Sequence, residues 1–192
     1  DKNINFSLQE MLDKQVALSY KPQYNLGTTW RDASADEVVK FLDPEYYNTE
    51  ELKYAFLDLA KAQDIDPEIL NERLLQNQGV LSNQGEAFSQ AAKQYGVNEI
   101  YLISHAFLET GHGTSRLSSG VKLDANGNLS DEGTAYYNMF GIGAVDHNAL
   151  MGGAQRAQNM GWDTPEKAIV GGAQFIARNY LERGQNTLYS MR

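Results

Sequence analysis

The run from Asn98 to Ser115, NEIYLISHAFLETGHGTS, holds the residue best suited to proton transfer, Glu109. Glu109 follows Leu102 by seven residues and Ala106 by three, which on a helix sets it along the apolar stripe. A carboxylate there should be partly desolvated, and it sits at the partly negative C-terminal end of the helix. Both effects favour the protonated form, and a carboxylic acid kept protonated near neutral pH is a general acid. The plainer alternative is a solvated Glu near a helix end, the commoner fate of that residue type.

The elements that must position Glu109 can be read around it. Asn98 can cap a helix whose first turn holds Glu99, where the dipole favours a carboxylate. Ile100, Tyr101, Leu102, Ile103, Ala106, Phe107 and Leu108 make it apolar nearly all round, so a buried central helix is expected. Gly111 and Gly113 then end it, since glycine closes helices and lets other groups approach the backbone.

Upstream, capping boxes at Ser7, Ser34 and Asn48 predict helices to about Leu18, to just before Pro44 and to about Gln63. Tyr20 to Arg31 reads as a loop with Tyr20, Tyr24 and Trp30. Asp66-Pro67 opens a further helix to about Gln78, and another runs from about Gln84 to Tyr95. Residues 1–80 thus read as an N-terminal helical region, either separate from or part of the same domain as the core at 81–192.

After Ser115 the pattern changes. Val121, Leu123 and Leu129 alternate with polar residues around Asn126-Gly127, which predicts a small β-hairpin. Helices over Asn148 to Met160 and Asp163 to about Glu182 complete the chain, each closed by glycine.

Composition narrows the chemistry. The chain has 192 residues, 42% of them hydrophobic, and a net charge of −9. That is one domain, or one with a helical annex, and a poor match for nucleic acid or an anionic membrane. No apolar run is long enough to span a bilayer. With no cysteine there is no disulfide and no thiolate chemistry. His105, His112 and His147 are read as ordinary polar histidines, because the first two share a helix face only if the helix continues through Gly111. No metal or cofactor is expected. The opening Asp1-Lys2-Asn3 reads as a mature or trimmed start, which neither shows nor excludes export.

SHAFLETGHGTS resembles the catalytic signature of the endo-β-N-acetylglucosaminidase family of bacterial autolysins, glycoside hydrolase family 73. Ala106, Leu108, Glu109, Thr110, Gly111, Gly113 and Ser115 match its A-x-L-E-T/S-G-x-G-x-S pattern. Tyr136 to Ile142 resembles the family's Y-x-N-x-F-G-I segment, and Ala168 to Arg192 is similar to the end of staphylococcal-type catalytic domains. The blocks follow the family's order, where any single one would be a weak match. Family domains usually continue with a Trp-containing segment, so the resemblance implies either a trimmed chain or a cleft lacking one wall.

The resemblance implies a mainly α, lysozyme-like α+β fold, with a small β-hairpin lobe beside a central buried helix. It implies a secreted, cell-wall-associated and monomeric hydrolase of peptidoglycan glycan strands, cutting the β-1,4 bond after N-acetylglucosamine with Glu109 as proton donor. The alternatives are a muramidase or lytic transglycosylase on the same fold, or a non-catalytic wall-binding fragment. Glycosidic cleavage also needs a group to stabilise or capture the oxocarbenium-like centre. Glu132, just after the hairpin, is the candidate, with solvated turn residue as its equal alternative. Asp131 and Asp146 rank lower, and the substrate's own 2-acetamido group is a third route. The resemblance places a tyrosine near the reacting sugar, which points to Tyr136 and Tyr137, with Tyr137 the catalytic candidate and Asn138 beside them. Phe140 and Tyr180 are candidate wall and floor residues for sugar rings, and Asp146 a candidate substrate contact. Trp162 fits either a sugar wall or the core.

Overall fold

The structure, a computed structural model, describes residues 6–144 and 148–191. Packing divides the chain into two compact units, with the division between Phe56 and Leu57. Residues 57–81 fold into the second unit, where Leu59, Leu70, Leu75 and Leu81 are all buried in its core.

The first unit holds α1 (Leu8–Val16), a hairpin of β1 (Gln23–Asn25) and β2 (Trp30–Asp32), and α2 (Ala35–Leu42). Ser7 and Ser34 each form the reciprocal capping box their spacing predicts. The β1–β2 hairpin occupies the stretch expected to be loop. Its three-residue strands are too short to show a period of two.

The helix expected from Asn48 to Gln63 does not form. The Thr49 hydroxyl accepts from the Leu52 amide at 3.1 Å, a single 3₁₀ turn covers Lys53–Phe56, and the chain then runs irregularly. Beyond Phe56 tertiary partners take the backbone groups a helix would have used. Leu59 N–H donates to Asn186 O at 2.8 Å, and Leu59 O accepts from Asn98 N–H at 2.9 Å. The buried Glu99 carboxylate accepts from the Gln63 amide at 2.8 Å and from that of Ile65 at 3.4 Å. Glu99 therefore pins a loop to the start of the central helix.

The second unit contains α3 (Pro67–Arg73), α4 (Gly85–Tyr95), α5 (Glu99–Thr110), β3 (Val121–Leu123), β4 (Thr134–Tyr136), α6 (Ala149–Met160), α7 (Pro165–Ile176) and α8 (Leu188–Met191). α5 is the central helix, capped by Asn98 through the Tyr101 amide at 3.1 Å. It buries one face, Leu102, Ile103, Ala106 and Thr110, against a core that includes Phe88 of α4, Ile169, Ala173 and Ile176 of α7, and Met139. Leu108, 84% exposed, and Ile100 point outward, so its burial is one-sided rather than all round.

α7 ends at Ile176 and passes into a π turn, Ala177–Leu181, where one continuous helix was expected. The hairpin forms, with different partners. Asp124 closes the tight turn by accepting from the amides of Asn126 and Asn128 at 2.8 and 2.9 Å. Leu129 makes a single bridge to Leu123, and a second turn at 130–133 brings β4 alongside β3. Among the described residues no helix is long and apolar enough to cross a membrane.

Candidate active site

The residues after Glu109 lock the end of α5. The Thr110 hydroxyl donates to Ala106 O at 2.6 Å and accepts from Gly113 N–H at 2.7 Å. Gly111 takes the left-handed conformation, φ 55°, that closes the helix. Gly113 O accepts from Val80 N–H at 3.1 Å, and a Cβ on Gly113 would lie 2.1 Å from Gln78 O. The Thr-Gly-x-Gly run is thus a clamp between helix end and the 78–80 turn, and only Gly fits its last position. The Glu109 side chain, 43% exposed, points into an open cleft. The desolvation expected from the apolar stripe is therefore not found. The helix buries positions 102, 103, 106 and 110, and Glu109 stands at the edge of that stripe beside His105.

The cleft encloses about 290 Å³ between α5, the 140–143 loop and α7, and Glu109 is the only acid among its described lining residues. Gly141, with φ 63°, comes so near that a Cβ would lie 2.7 Å from Glu109 Oε2. Asn138 holds that loop. Its Nδ2 donates to Ile142 O at 2.8 Å and Gly153 O at 3.1 Å, and its Oδ1 accepts from the amides of Phe140 and Ile142 at 3.3 and 3.2 Å. Asn138 is buried, with its amide engaged by the loop, so its part is to shape the loop. Phe140, only 6% exposed, reaches the cleft lining at its edge while its ring packs into the core on Gly172, where a Cβ would lie 2.1 Å away. Tyr180, 39% exposed, completes a wall.

His105 lies one turn before Glu109, with Nε2 3.7 Å from Oε1. Its ring meets those of Tyr101 and Phe140 edge to face, at 5.8 and 5.7 Å between centroids. Burial pushes the imidazole below its ordinary value, and the Glu109 charge opposes that shift only in part. At neutral pH His105 is therefore a neutral ring, and its contact with Glu109 is not an ion pair.

Known proteins share this sequence pattern and fold. The family model for glucosaminidase, described as mannosyl-glycoprotein endo-beta-N-acetylglucosaminidase, matches residues 85–191. The chain belongs to the glucosaminidase family. The bifunctional autolysin of Staphylococcus epidermidis is 47% identical over 188 residues, which cover 97% of this chain and 14% of the relative. The chain thus spans about a seventh of that curated relative's length. The crystal structure of a major bifunctional autolysin aligns with a TM-score of 0.82 and 44% identity, over 98% of this chain and 77% of the other. A catalytic mutant of Staphylococcus aureus autolysin E, crystallised with the disaccharide NAG-NAM, aligns with a TM-score of 0.68 and 33% identity, over 100% of this chain and 80% of the other. The fold is the expected lysozyme-like α+β arrangement, helices around α5 with a small hairpin lobe.

The structure gathers Glu109, Phe140 and Tyr180 in one cleft, and leaves other sequence candidates off its lining. Glu132 is exposed on the 130–133 turn. Asp131, beside it, accepts from Lys122 Nζ through its backbone carbonyl at 3.0 Å. Tyr136 pairs with Val121, and the Tyr137 ring lies on Gly120, where a Cβ would be 2.9 Å from it. Trp162 is 3% exposed and stacks into the space left by Gly171, which makes it core. Asp146 lies outside the described residues. Among the described residues no three His, Asp or Glu side chains cluster as a metal site. Sequence reading passed over His105 and Gly141 as partners of Glu109. The i,i+4 spacing of His105 was the available signal; Gly141 gave none, since its role depends on where a distant loop returns.

Proposed function

We propose that the domain is an endo-β-N-acetylglucosaminidase that cuts peptidoglycan glycan strands after N-acetylglucosamine, with Glu109 donating the proton to the leaving oxygen. The carrying observation is that Glu109 is the one acid among the described residues lining a cleft that Phe140 and Tyr180 border. Aromatic faces suit the apolar faces of pyranose rings, and a half-exposed carboxyl can reach a glycosidic oxygen.

Glu132, on the exposed turn of the hairpin lobe, is proposed as the second carboxylate, moving to the cleft when substrate binds. That no second acid lines the cleft among the described residues favours a second reading, in which the substrate's 2-acetamido group attacks the anomeric carbon and no protein nucleophile is needed. A secreted enzyme acting at the cell wall is the setting both require.

Digestion of purified walls, followed by mass spectrometry of the fragments, tests the bond specificity. N-acetylglucosamine at the new reducing ends supports the proposal. N-acetylmuramic acid there identifies a muramidase, and anhydro ends a lytic transglycosylase. Walls left intact by folded protein would indicate a binding fragment.

A further inference from the structure

A second pocket of about 260 Å³ adjoins the cleft, between α6 and α7 and over the Trp162 indole. Phe175 lines both spaces. Gly143, on the cleft wall, presses against the other side of the same partition, since its Cβ would lie 2.8 Å from Arg156 Cβ. The π turn after α7 sends Arg178 into the pocket and Tyr180 into the cleft, and such turns recur at functional sites.

The chain carries a net charge of −9, yet two arginines, Arg156 and Arg178, line this one pocket. Among the described residues neither guanidinium pairs with a carboxylate. Guanidinium forks match carboxylates two bonds at a time. Phe175, which lines both spaces, supplies an apolar wall between the charges and the cleft.

We propose that this pocket binds a carboxylate-bearing substituent on a sugar whose ring occupies the cleft, with Arg156 and Arg178 taking the carboxylate and Phe175 the body of the arm. The proposal rests on the glycan reading of the cleft. Acid catalysis at Glu109 does not require it, so it adds a determinant of which strands are cut.

The test uses glycan strands with their peptide substituents, carboxylates either free or converted to methylamides. The ratio of kcat/KM for free over amidated strands should be roughly tenfold in the wild type, carried by KM. The doubly substituted Arg156→Gln, Arg178→Gln protein should bring that ratio close to one. Both side chains are exposed, so folding should survive, and circular dichroism checks it. A wild-type ratio near one, or a ratio unchanged by the double substitution, overturns the proposal. If the wild type cleaves neither strand, the hydrolase reading fails on its own, and the same ratio is taken from affinities by calorimetry, with the same two outcomes deciding.

Discussion

A methyl group on Gly141 would sit 2.7 Å from Oε2 of Glu109, so the 140–143 loop and the proposed acid share one space. Gly141→Ala should push the carboxylate aside, because the side-chain end yields more readily than backbone, and should lower kcat by about tenfold or more. The left-handed backbone at φ 63° adds a stability loss of ~1–2 kcal/mol. Gly161→Ala is the control. It has φ 70° with nothing within 4 Å of its Cβ, so it should lose similar stability and keep its rate. Equal rates in the two variants would show that the Glu109 contact is irrelevant to turnover.

Asn138→Asp should unfold more easily. The replacement removes both donors and turns a charged oxygen toward Ile142 O or Gly153 O, leaving buried carbonyls unpaired at a cost of about 2 kcal/mol or more. A melting temperature lower by about 5 °C or more is expected for a domain of this size. An unchanged value would mean that the amide is not what holds the loop.

The His105 imidazole titrates below its ordinary value of 6.5, chiefly through burial. Between the folded and ordinary values the unfolded chain binds more protons. Stability contributed by the neutral ring is therefore complete above pH 6.5 and is lost as pH falls below it. His105→Gln should remove this loss. Thermal melts at pH 7.0 and 5.0 should show a smaller drop for the variant than for the wild type, and equal drops would place the acid sensitivity elsewhere.

The helices of this fold were legible where local chemistry decides them. The Ser7 and Ser34 boxes, the Asn98 cap and Gly96, Gly111 and Gly161 all act within four residues of the helix end. The expected helix over 48–63 failed because distant groups, Glu99 and Asn186 among them, hold the loop that occupies its second half. The hairpin turn at Asn126-Gly127 was readable, but its long-range pairing was not, since β4 returns only after a second turn. The same divide runs through the site. Glu109 can be singled out within its own helix, although its exposure there was not foreseen, whereas Gly141 is set beside it by a loop, held by Asn138, that returns from far along the chain.

Glu132→Gln separates the two routes to the oxocarbenium-like centre. A second carboxylate predicts a loss of at least ~10²-fold with binding retained. Activity close to wild type would assign the task to the substrate's 2-acetamido group, and the product anomer, followed by NMR, should then show retention.

The most direct measurement is the turnover of Glu109→Gln on purified wall glycan, alongside its circular dichroism spectrum. The side chain is 43% exposed and makes no buried contact that the amide would break, so the spectrum should be unchanged. Loss of the proton donor should lower the rate by ~10²–10⁴-fold. More than about a tenth of the wild-type rate, in a protein with an unchanged spectrum, would contradict Glu109 as the general acid.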